Sequence, residues 1–141
     1  RVTAAVLSSV FEELDEAGVE LASIVLKPSM VVPGTSGPTA TVDEVADATV
    51  ACLRSAVPAA VGGVAFLSGG QPPAVAPAHL GAINERGPHP WPVTFSFGRA
   101  IQDDVLTTWG GDRAKVDAAR AVLTRRIGEN GAAARYALVE V

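Results

Sequence analysis

A parallel α/β fold is what this 141-residue sequence predicts. Short apolar runs suited to buried strands stand at 23–27, 63–68 and 93–97, and segments with helical periodicity precede, separate and follow them. Each run ends in polar residues: Lys27, Ser68, and Ser96 to Arg99. Parallel strands carry these ends to one edge of the sheet, the edge where enzymes of this class keep their sites.

The elements follow in order. From Val2 to Ala17 the residues Val6, Val10 and Leu14 fall four apart, with Leu7 and Phe11 beside them, which predicts a helix ending at Gly18. Glu12, Glu13, Asp15 and Glu16 form its wet face, because successive helical residues diverge and do not converge on a metal. Ser23 to Lys27 is continuous enough in apolar character to suit a strand buried on both faces, and Pro28 ends it. A Pro/Gly/Ser/Thr loop runs to Ala40. Thr41 and Glu44 then have capping-box spacing, and Val42, Val45, Thr49, Cys52, Leu53 and Ala56 continue a helical stripe toward Pro58. Cys52 reads as a small core residue.

Gly63 to Ser68 is the second strand, closed by Gly69 and Gly70. A weaker helix is expected over 74–84, where Pro77 is tolerable only in the first turn. Val93 to Phe97 is the third strand. Gly98 and Arg99 open a helix through Trp109, stopped by Gly110 and Gly111. Asp112 is placed to cap a last helix with the stripe Val116, Ala119, Leu123 and Ile127, whose Arg120, Arg125 and Arg126 lie favourably toward its C-terminus. Trp91 and Trp109 read as packing anchors. Tyr136 falls in a stretch with no clear periodicity.

Charge and composition exclude several functions. With 11 Lys+Arg against 15 Asp+Glu the chain lacks the basic field that nucleic acid or an anionic membrane requires, so any phosphate binding must be local. The single Cys52 forms neither an intramolecular disulfide nor a zinc site, which fits a reducing, cytoplasmic compartment. Mean hydropathy is +0.30, and residues 55–84 contain no charged side chain. Pro58, Gly62, Gly63, Gly69, Gly70, Pro72, Pro73 and Pro77 cut that stretch into pieces too short to span a bilayer. His79 and His89 have no partner at ligand spacing, so no metal is expected. Asp103 and Asp104 have no neighbour that would make either a general acid. A start at Arg1, within two residues of a helical pattern, reads as part of a longer chain.

The residues that can carry chemistry lie at the strand ends. An ammonium at the end of Ile24-Val-Leu26 is poorly hydrated, which favours the neutral amine and makes Lys27 a candidate nucleophile for Schiff-base formation. The plain alternative is a strand-end lysine whose stem lies on apolar surface and whose head reaches water. Ser68, Gly69 and Gly70 can present backbone N–H groups to an anion, although glycines here also serve as ordinary turn residues. Ser96, Gly98 and Arg99 add a hydroxyl, a close-approach residue and a guanidinium suited to phosphate. Arg99 could equally pair with a carboxylate.

Leu26-Lys-Pro-Ser-Met30, Phe66-Leu-Ser-Gly-Gly-Gln71, Ala82-Ile-Asn84, Pro90-Trp91, Phe95-Ser-Phe-Gly-Arg-Ala-Ile-Gln102 and Trp109-Gly-Gly111 occur in one order. Together they resemble class I fructose-1,6-bisphosphate aldolase. The resemblance implies that residues 1–141 are the C-terminal portion of one (β/α)₈ barrel domain, with strands six to eight and their helices. It implies reversible cleavage of fructose 1,6-bisphosphate through a Schiff base on Lys27, with no cofactor. Ser68, Gly69, Ser96, Gly98 and Arg99 would hold the phosphate beside the attacked ketone. It further implies a sugar phosphate as the small-molecule partner and a homotetramer for the complete protein. Ser29 stands where the family usually has Asn, Phe97 where it has Tyr, and Pro72, Pro73 and Pro77 replace an acidic stretch. A barrel takes about 250 residues, so five strands and the acid/base carboxylates are expected upstream. The sequence ends at Val141 without the family's C-terminal segment and its terminal tyrosine, which implies impaired proton exchange at carbon. The 141 residues alone are accordingly expected to cleave the sugar negligibly. Another Schiff-base aldolase or a transaldolase on the same barrel fits the phosphate motifs less fully, and a phosphate-binding remnant without catalysis is the reading from a different class.

Overall fold

The structure, a computed structural model, describes residues 2–34 and 36–135. Helices α1 (Val2–Glu16), α2 (Val42–Ala56), α3 (Val75–Asn84), α4 (Arg99–Trp109) and α5 (Val116–Arg135) alternate with strands β1 (Val25–Leu26), β2 (Gly63–Phe66) and β3 (Val93–Phe95) until the final pair. The strands form one parallel sheet in the order β1-β2-β3. Leu26 lies level with Val64, and Val64 with Val93. Backbone pairing runs past the strand ends: Leu67 N–H donates to Pro28 O at 3.0 Å and Ser96 N–H to Phe66 O at 2.8 Å. The ends that carry the polar residues are thus tied laterally.

Side-chain alternation divides the sheet into two unlike faces. Val64, Phe66 and Val93 point into the core, with Leu80, Ile83 and Leu53 from the helices and Met30 from the loop after β1. Val25, Lys27, Thr94 and Ser96 share the opposite face by alternation, and all four are exposed. This corrects the expectation of a first strand buried on both faces. β1 has two residues and Val25 is 65% exposed, because β1 is an edge strand and no layer of described residues covers that face.

Local signals explain most element boundaries. Thr41 Oγ1 accepts from Glu44 N–H at 3.2 Å while Glu44 Oε2 accepts from Thr41 N–H at 2.8 Å, so the capping box is complete. The Thr41 N–H and, at 3.0 Å, the Thr41 hydroxyl donate to Glu44 Oε2 and lower the proton affinity of that carboxyl. Pro77 occupies the third residue of α3, inside the first turn, where a missing N–H costs no helical bond. Gly110 ends α4 in the left-handed region at φ 56°.

Two stripes are rotated from the sequence expectation. In α1 the buried residues are Leu7 and Phe11, whereas Val6 is 56% exposed and Val10 is also exposed. α1 packs on α2, and the face carrying Val6 and Val10 meets nothing among the described residues. In α5 Ala119 is buried but Ile127 is exposed, and Arg126 and Asn130 are buried in its place. Arg126 binds Asp104 of α4, an ion pair that turns this side of α5 toward α4, and donates within α5 to Glu129 at 2.7 Å. Asp112 caps the 3₁₀ turn Arg113–Lys115 that leads into α5, accepting from Ala114 N–H at 2.9 Å. Trp91 is the expected anchor, buried with its indole N–H on Pro58 O at 2.9 Å. Trp109 is 41% exposed and is not one. Cys52 is half-buried against the core, and burial raises its thiol. Tyr136 lies outside the described residues. No described helix is long and apolar enough to cross a membrane.

Candidate active site

The site residues gather at the C-terminal ends of the three strands. Lys27 follows β1 directly, and continuing the β1–β2–β3 register places it level with Ala65 and Thr94. Ser96 lies two residues further along on the same face. Two inter-strand spacings and two residues of rise separate their Cα atoms by about 12 Å, a gap that a lysine stem and a small phosphorylated ligand can bridge. The lysine is exposed, which corrects the expectation that its own strand would keep it poorly hydrated. An apolar run dehydrates a strand-end amine only when both faces of the sheet are covered, and this face is bare among the described residues.

Ser68, Gly69 and Gly70 form the turn after β2. Gly69 and Gly70 adopt φ 58° and 79°, a consecutive left-handed pair that an L side chain would strain. The turn is closed by Gln71 N–H donating to Ser68 O at 3.0 Å. Ser68 is buried, 5% exposed. The guanidinium of Arg99 lies against this turn: a Cβ built on Gly70 would stand 3.5 Å from Arg99 Nη2. Gly98 is the N-cap of α4 and supplies no side-chain acceptor to the helix start. Its carbonyl accepts from Ile101 and Gln102 N–H, both at 3.0 Å. The fold therefore unites the two strand-end segments, 68–70 and 96–99, that lie about thirty residues apart in sequence. An uncapped helix start, a left-handed glycine turn and a guanidinium converge there, and that combination suits a phosphate dianion.

Behind the turn the structure joins three residues that sequence reasoning did not connect: Met30 and Gln71, quoted only as motif ends, and His79, considered only as a metal ligand. The side chain of Gln71 lies between His79 of α3 and Met30 of the loop after Lys27. Its Oε1 is 2.5 Å from His79 Nδ1 and its Nε2 donates to Met30 Sδ at 3.5 Å. His79 is 5% exposed, and burial lowers its proton affinity. The residue after a strand-end turn and a helical residue eight positions later carry no periodic signal, so only the packing of α3 reveals the pair. Among the described residues no group of His, Cys, Asp and Glu could hold a metal ion.

Comparison with known proteins gives one consistent answer. A protein-family model described as "Glycolytic: Fructose-bisphosphate aldolase class-I" matches residues 1–140. The chain is 48% identical over 135 residues to a probable fructose-bisphosphate aldolase class 1 of Xylella fastidiosa (strain 9a5c), covering 94% of this chain and 40% of that one. It is 48% identical over 133 residues to fructose-bisphosphate aldolase 2 of Plasmodium berghei, covering 94% and 36%. Among solved structures it matches Plasmodium falciparum fructose-bisphosphate aldolase, determined with TRAP and a small-molecule inhibitor. That match has a TM-score of 0.90 and 47% identity, and covers 96% of this chain and 39% of that one. The chain thus spans about two fifths of the length of the relatives it matches.

Proposed function

The chain belongs to the class I fructose-bisphosphate aldolase family, and from that membership we propose that it supplies the Schiff-base half of an aldolase active site. In this reading residues 1–141 are part of one (β/α)₈ domain. β1, β2 and β3 are its sixth to eighth strands, and the bare face of the sheet lines the barrel interior. Neighbouring strands closing over that face would remove water from Lys27 and give its amine the poorly hydrated setting that the three described strands leave open.

The chemistry follows from the placement. Nζ of Lys27 adds to the C2 ketone of fructose 1,6-bisphosphate or dihydroxyacetone phosphate, and loss of water leaves an iminium. A base takes the C4 hydroxyl proton and the iminium accepts the electron pair of the C3–C4 bond as it breaks, releasing glyceraldehyde 3-phosphate and leaving an enamine that a proton at C3 returns to the iminium. Water then frees dihydroxyacetone phosphate. Ser68, Gly69, Ser96, Gly98 and Arg99 hold the C1 phosphate and so fix C2 over the amine. The general acid and base are assigned to residues outside this sequence. A cytoplasmic homotetramer belongs to the same proposal, and sedimentation of the complete protein measures the assembly.

The observation that carries this reading is the contact of the Arg99 guanidinium with the Gly70 turn, on the edge of the sheet where Lys27 emerges. Borohydride reduction in the presence of dihydroxyacetone phosphate tests it, with the labelled peptide identified by mass spectrometry in the complete protein and in Lys27→Ala. A single adduct on Lys27, suppressed by inorganic phosphate and lost in Arg99→Ala, is the expected result. Label spread over Lys115 and other amines, or unaffected by Lys27→Ala, overturns the assignment.

A further inference from the structure

We infer that His79 is a positioning residue that holds the phosphate turn in register with the lysine loop through Gln71; the inference rests on the site proposed above. Gln71 is the residue that ends the Ser68–Gly70 turn, and its backbone N–H closes that turn on Ser68 O at 3.0 Å. Nε2 donates to Met30 Sδ at 3.5 Å, three residues after Lys27, and Oε1 faces His79 Nδ1 at 2.5 Å. One amide therefore joins the strand-end loop carrying the amine, the turn facing the anion, and the first half of α3.

In this arrangement Nε2 faces the sulfur, which only accepts, and Oε1 accepts from His79 Nδ1–H. Met30 is 2% exposed and His79 5%, so both anchors are fixed by packing, and only the half-buried glutamine between them could otherwise swing. Gly69 and Gly70 are a consecutive left-handed pair with little intrinsic backbone preference, at the place where the site demands a defined conformation. Nothing in the turn itself restrains them beyond one backbone bond. The His79–Gln71–Met30 chain supplies that restraint from outside, as a shell that orients contact groups without touching the ligand.

The side chains suggest the controls. Asn at position 79 can place its amide N–H where Nδ1 stands, whereas Leu fills the volume without a donor. In the complete protein, the dissociation constant of inorganic phosphate is measured by calorimetry for wild type, His79→Leu, His79→Asn, Gln71→Leu and Arg99→Ala, well below each melting temperature. His79→Leu and Gln71→Leu are expected to weaken phosphate by about tenfold or more, the scale typical of losing a residue that orients a contact group, and His79→Asn to recover most of the loss. If His79→Leu does not fold, the half-buried Gln71→Leu gives the answer alone. Wild-type affinity in His79→Leu or Gln71→Leu, with only a lower melting temperature, overturns the inference while an effect of Arg99→Ala leaves the phosphate site standing. No effect of Arg99→Ala removes that site and the inference with it.

Discussion

At Gly70 a φ of 79° and an arginine side chain 3.5 Å from where a Cβ would stand make one residue answer two demands, backbone freedom and room for a guanidinium. His79 shows the opposite economy, since its value lies in a ring nitrogen and its burial. Desolvation disfavours the imidazolium, so in the folded protein the ring titrates below its ordinary value of 6.5. Between the folded and unfolded values the unfolded chain binds the extra proton, so stability rises with pH across that window. The contribution of His79 is therefore complete above pH 6.5 and is lost as pH falls through the folded value. Urea midpoints of the complete protein at pH 7.5 and 5.5 should drop for wild type and drop less for His79→Asn. An equal drop in both would assign the acid sensitivity to other groups.

At the scale of elements, caps and ion pairs decide what the apolar pattern leaves open. α2 has a full capping box and a stripe whose Val45, Thr49 and Leu53 are buried as their spacing predicts. Thr49 also accepts from Val31 N–H at 2.9 Å, tying α2 to the loop after β1 and thus to Met30. Thr41→Ala removes the acceptor of Glu44 N–H and should cost about 1 kcal/mol, read from denaturant unfolding. A cost near zero would mean that the packing of α2 alone holds its first turn. α5 shows the limit of stripe reading. Ile127 completes a flawless period and yet points to water, while the neighbouring Arg126 faces α4 and pairs with Asp104.

At the scale of the whole molecule, the bare face of a three-stranded sheet governs both stability and activity. Val25, Lys27, Thr94 and Ser96 share that face, and α1 turns Val6 and Val10 outward. A polypeptide limited to these 141 residues should show no measurable cleavage of fructose 1,6-bisphosphate in a coupled assay, because an amine without a general acid and base completes no turnover. Turnover at the rate of the complete protein would mean that acid and base lie within this sequence. What the sequence determined by itself is local. Element order, the capping box, the first-turn Pro77, the stop at Gly110 and the polar strand ends are legible because they depend on residues one to four positions apart. The motifs from Leu26 to Gly111 identify the family for the same reason, as fixed words at fixed spacing. Only the tertiary structure decided that Arg99 lies on Gly70, that Gln71 joins Met30 to His79, and that Lys27, Val6, Trp109 and Ile127 are exposed. Burial and partnership belong to pairs of distant elements, and the physical cause of each is which surface happens to be covered by another.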